Sequence, residues 1–179
     1  MRVISGSAKG RRLKSLEGND VRPTTDKVKE AVFSAIQFDI EGRRFLDLFA
    51  GSGQMGIEAL SRGAKNAVFI DGSDRAVKIL NENLKATGLE ANARVMRSDA
   101  LSYITQTSNL FDIAFLDPPY AEGLLEKALY ATADKMSDFG IIICEHPPEV
   151  SLPDEVKGFS VFKKYRYGKI NVTTYKKEN

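Results

Sequence analysis

Short apolar runs and helix-patterned stretches take turns along most of this chain, and that alternation restricts the fold more than any other feature. The runs cover residues 45–50, 67–70, 93–97, a stretch ending at 117, and 141–144; helical patterns cover 54–62, 75–86, a segment after Asp99, and 124–136. Short runs with apolar residues on both faces belong in a parallel sheet, and the crossovers between parallel strands place helices on both sides of it. The expected architecture is an open, doubly wound α/β domain.

The two ends depart from the pattern. Residues 1–20 alternate apolar and basic positions around Gly6, Gly10 and Gly18, and read as a β-hairpin or extended arm too small to fold alone; residues 21–179 form the expected main domain. Arg22-Pro23-Thr24-Thr25-Asp26 opens a helix that Thr25 or Asp26 can cap. Its apolar stripe is Val28, Ala31, Val32, Ala35 and Ile36, with Lys27, Lys29 and Glu30 outside it. Later, 159–167 and 169–177 flank Gly168 as two strands joined by a tight turn, so the mostly parallel sheet should close on an antiparallel hairpin.

Net charge is only +2, yet it is unevenly placed. Arg2, Lys9, Arg11, Arg12 and Lys14 all precede the first acid, Glu17, and Lys163, Lys164, Arg166, Lys169, Lys176 and Lys177 crowd the other end. Two basic ends point to a polyanionic partner. No run approaches the roughly 20 apolar residues of a membrane span, and residues 1–6 lack the apolar segment of a secretory signal, so the expectation is a soluble, cytoplasmic, monomeric protein. The single cysteine, Cys144, can form no internal disulfide, and His146 alone cannot complete a zinc site with it.

Chemistry enters at Gly51-Ser52-Gly53-Gln54-Met55-Gly56, which follows a strand and opens a helix. Such a turn lets the backbone approach a ligand, and Asp71, about 20 residues on, can hold a ribose diol. The letters alone serve a nicotinamide or flavin dinucleotide as well as S-adenosylmethionine. Three features favour the methyl donor. Asp47, beside the turn, would repel a pyrophosphate but suits an ammonium and a sulfonium; Asp99 can accept from an adenine amine; and Asp117-Pro118-Pro119-Tyr120 has no role in hydride transfer.

That tetrapeptide ends the fourth strand. An aromatic amine is a poor nucleophile because its lone pair is delocalised into the ring. The Asp117 carboxylate and the Pro118 carbonyl can accept its two N–H bonds, Pro118 and Pro119 fix the turn, and Tyr120 offers a stacking face. A sulfonium is already activated, so no metal is expected. The motif recognises an amine rather than a named base, leaving guanine N2 and adenine N6 both open, along with a noncatalytic RNA-binding role.

With these motifs the chain resembles the RsmD-type family of 16S ribosomal RNA guanine-N2 methyltransferases, within the class I Rossmann-like fold. The resemblance runs from Arg2-Val3-Ile4-Ser5-Gly6 and Lys9-Gly10-Arg11-Arg12-Leu13, through Arg22 to Asp26, Asp47 to Gly53 and Asp117 to Tyr120, to Tyr167-Gly168. It implies S-adenosylmethionine contacts from Arg22, Thr24, Thr25, Asp47, Phe49, Ala50, Gly51, Ser52, Gly53, Asp71, Asp99 and Ala100. It also implies 16S RNA, free or in an assembling small subunit, as the partner of Arg2, Lys9, Arg11, Arg12 and Lys14. Two departures stand out: Asp71 occupies the place of a longer glutamate, and Gly72-Ser73 replaces more polar residues.

Overall fold

The computed structural model describes residues 1–17 and 24–177. Five strands alternate with helices: β1 (Arg44–Asp47), α2 (Gln54–Ser61), β2 (Asn66–Asp71), α3 (Asp74–Thr87), β3 (Ala93–Arg97), α4 (Ala100–Gln106), β4 (Phe111–Leu116), α5 (Leu124–Ala133) and β5 (Met136–His146). Helix α1 (Asp26–Ala35) precedes them, and β6 (Glu155–Val156), β7 (Phe159–Tyr167) and β8 (Ile170–Lys177) follow. One eight-stranded sheet results, in the order β3-β2-β1-β4-β5-β8-β7-β6. The first five strands in that order pair in parallel, while β8 joins β5 and β7 joins β8 antiparallel.

The two faces carry separate cores. Side chains of α1, α2 and α3 pack with Phe45, Phe69, Phe115 and Ile143 on one side; those of α4 and α5 pack with Leu46, Ile70, Leu116 and Ile142 on the other. Cys144 is a buried member of the second core. Among the described residues no helix is long and apolar enough to cross a membrane.

Thr25 caps α1 as expected, accepting from Val28 N at 3.3 Å. The stripe needs correction: Ala35 is exposed, Phe33 is buried, and Lys29, assigned to the outside, is completely buried. A second correction concerns Met136, which opens β5 rather than closing α5; its pairing with Phe111 extends the strand past a register shift between Phe111 and Ile113. The short β6 was also not foreseen, because two residues carry no periodicity.

The basic arm folds back on itself through an antiparallel bridge between Arg2 and Arg12. Val3, Ala8 and Leu13 are buried against the core, so the arm covers α2, every residue of which is buried. Contact is close at Gly6, where φ is +87° and an added Cβ would lie 1.8 Å from the Ser61 carbonyl oxygen.

Candidate active site

The strand order reverses between β1 and β4, and ligands of doubly wound sheets bind beyond the strand ends at such a reversal. A cleft of about 560 Å³ opens there, in the usual size range of small-molecule sites. Its walls include Thr24, Asp47, residues 48–52, Asp71, Asp99, Ala100 and residues 117–120. A more open depression of about 660 Å³ borders α5 near Lys127 and Lys157, away from the glycine turn at 51–53 and from Asp117.

The glycine turn leaves β1 and enters α2. Gly53 sits at φ +83°, so the left-handed turn favours glycine, and a Cβ there would lie 1.9 Å from Leu80 Cδ1 and force that side chain to move. Gly53 therefore shapes the turn from beneath. Asp71 locks the turn from the next strand: its Oδ2 accepts from Gly51 N at 2.8 Å and its Oδ1 from Ser73 N at 2.9 Å. Asp99 is the N-cap of α4, accepting from Ser102 N at 2.9 Å through Oδ2, and among the described residues its other oxygen has no hydrogen-bond donor.

Asp47 is 1% exposed and, among the described residues, accepts one hydrogen bond, from Gly56 N at 3.1 Å. Burial pushes its pKa up to about 7; the Gly56 bond opposes this and the Asp71 charge adds to it. A buried carboxyl with one partner, bordering a cleft, fits a cationic ligand, and the donor set therefore fits S-adenosylmethionine. The raised pKa means the folded protein binds a proton here that the unfolded chain releases. This group's contribution to stability is full below the ordinary carboxylate pKa and is lost as pH rises through about 7. Asp47→Asn should accordingly lose less stability than wild type between about pH 5 and pH 8, measured by denaturant titration without ligand. Equal losses would rule Asp47 out as the buried acid.

Asp117 follows β4 directly, and its own pKa is raised well above the usual range by burial, then by Glu145 and Asp47. Pro118 is buried while Pro119 and Tyr120 are exposed at the cleft mouth. Glu145 escaped the sequence reading. It is 6% exposed on β5, accepts from Thr24 Oγ1 at 3.0 Å, and has its pKa raised by desolvation. Leu116 is in register with Cys144, so Asp117 and Glu145 are neighbours across the strand pair. A signal existed: like Asp47 and Asp71, Glu145 is an acid terminating an apolar run of the sheet.

Thr24 joins this cluster, whereas Thr25 is spent on the helix cap and is exposed; Arg22 lies outside the described residues. Phe49, Ala50, Ser52 and Ala100 all border the cleft. All five basic residues of the arm are exposed. Arg2 pairs with Asp26 and Lys14 with Glu82, while among the described residues Lys9, Arg11 and Arg12 have no acidic partner.

The model of the family described as conserved hypothetical protein 95 matches residues 1–176. The chain belongs to that family. It is 46% identical to the "Putative rRNA methyltransferase YlbH" of Bacillus subtilis over 99% of both chains. It is 38% identical to the ribosomal RNA small subunit methyltransferase D of Escherichia coli, covering 99% of this chain and 90% of that one. These relatives are of the RsmD type that the motifs resemble. Among solved structures, the "Putative methyltransferase yhhF" of Escherichia coli superposes with a TM-score of 0.90 at 34% identity, over 99% of this chain and 98% of that one. The Rossmann-like methyltransferase fold is thereby shared along the whole family member.

Proposed function

We propose that this protein transfers a methyl group from S-adenosylmethionine to the exocyclic N2 amine of a guanine in 16S ribosomal RNA. Residues 1–20 serve as the basic arm and 21–179 as the methyltransferase domain. The observation that carries the reading is that Asp117 to Tyr120 and the Asp47 turn open on one cleft at the β1/β4 reversal. The donor supplies a methyl already activated on a sulfonium. Asp47 favours its positive charge, Asp71 holds the ribose diol and Asp99 the adenine amine.

Asp117 and the Pro118 carbonyl accept from the target amine, and Tyr120, 69% exposed, stacks on the base. As nitrogen bonds to the methyl carbon and the carbon–sulfur bond breaks, the amine proton passes to the Asp117 carboxylate, which burial makes a stronger base. Guanine presents N1–H and N2–H side by side, whereas adenine sets its amine beside an acceptor nitrogen. The choice of guanine N2 rests on the resemblance to the RsmD-type family.

Arg11 and Arg12 lead the phosphate contacts of the arm, joined by Arg166 of the C-terminal hairpin, which stands opposite Asn171. Neutralising Arg11 and Arg12 together should weaken RNA binding and flatten the plot of log affinity against log salt by about 1.4, the slope expected for two contacts to a single strand. An unchanged slope would remove the arm from the phosphate path. The function itself is tested by incubating labelled donor with ribosomal RNA or subunits from a strain lacking the enzyme and mapping the product by mass. N2-methylguanine is expected; N6-methyladenine would reassign the base.

A further inference from the structure

A line of buried polar contacts runs from the basic arm to Glu145, the neighbour of Asp117 across the strand pair. Ile4 N and Ser5 N donate to Glu58 Oε2 and Oε1 at 2.9 and 3.0 Å, and the Arg2 carbonyl accepts from Lys29 Nζ at 2.6 Å. Lys29 Nζ lies 3.9 Å from Glu58 Oε2 and donates to Gln54 Oε1 at 3.3 Å. Gln54 Nε2 donates to the Thr24 carbonyl at 3.1 Å, and Thr24 Oγ1 to Glu145 Oε2 at 3.0 Å. Glu145 faces Asp117 across the strand pair, and Lys29, Glu58, Gln54, Thr24 and Glu145 are all buried.

Lys29 is the costly member. An ammonium removed from water loses its hydration, and desolvation lowers its pKa although Glu58 is adjacent. Glu58 does not need it, being held by Arg62 Nε at 2.9 Å and by two backbone amides. What Lys29 uniquely does is tie the Arg2 carbonyl to Gln54.

We propose that Lys29, Gln54 and Thr24 are positioning residues that act through Glu145 and register Asp117 against the seated arm. RNA gripped by the arm is thus aligned with the reacting turn. This rests on the methyltransferase reading above.

A double-mutant cycle on the full chain tests it, using Lys29→Met, Glu145→Gln and their combination, with the single-turnover methylation rate normalised to donor-binding sites. Each single change should slow the step about 10-fold, and the combination by no more than about twofold beyond the worse single, while RNA affinity stays within about threefold. Gln54→Leu replaces Lys29→Met in the cycle if the latter fails to fold. Losses that multiply overturn the relay, since Lys29 and Glu145 would then act independently. A wild-type protein that methylates no ribosomal RNA or subunit overturns the functional reading instead.

Discussion

Asp117→Ala should slow methyl transfer by about a thousandfold while changing the affinity for S-adenosylmethionine by no more than about threefold. Removing a positioned proton acceptor costs roughly 100- to 10,000-fold, and here the same carboxylate also aligns the amine lone pair. Alanine leaves Pro118 and Pro119 to hold the turn, and it relieves Asp47 and Glu145 of a neighbouring acid, so the cleft should stay intact. Single-turnover rates and calorimetric titration of the donor separate the two effects. Turnover within about tenfold of wild type would move the chemistry away from this residue.

Asp71→Ala is the complementary case, with the loss falling on binding. Its carboxylate fixes Gly51 and Ser73 through their amides, and each oxygen keeps a lone pair for a ribose hydroxyl. Charge-assisted bonds of this kind contribute about 1.5–3 kcal/mol each. Asp71 is half-buried, which discounts that figure, and a rise of about 100-fold in the donor dissociation constant is expected. Asp71→Asn, which keeps one acceptor, should fall between. A dissociation constant unmoved by alanine would exclude the ribose role.

Much of this was legible in the sequence because strands and helices of an α/β domain each have a period, and because motifs at strand ends must lie on the same edge of a parallel sheet. Asp47, Asp71 and Asp117 converge for that reason. Lys29, Glu58 and Glu145 were not legible as buried groups. A hydropathy pattern assigns charge to the surface, whereas Glu58 on α2 and Lys29 on α1 are covered by arm residues that contact them from 54 and 27 positions away in sequence. Met136 was misassigned for a related reason: its strand pairing with Phe111 is a tertiary event that local helix propensity does not register.

The covering of α2 by the arm has a consequence for how the chain is made. Val3, Ala8 and Leu13 share a core with α1, α2 and later strands, and Gly6 must meet the carbonyl of Ser61 closely, so the arm cannot seat before α2 has been synthesised. At the far end, β8 pairs with β5 inside the sheet, and β7 and β6 are added outside it. The arm and the β7–β8 hairpin therefore both depend on partners distant in sequence. Assembly cannot proceed by simple addition from one end, and such distant pairings should make folding slow for a domain of this length.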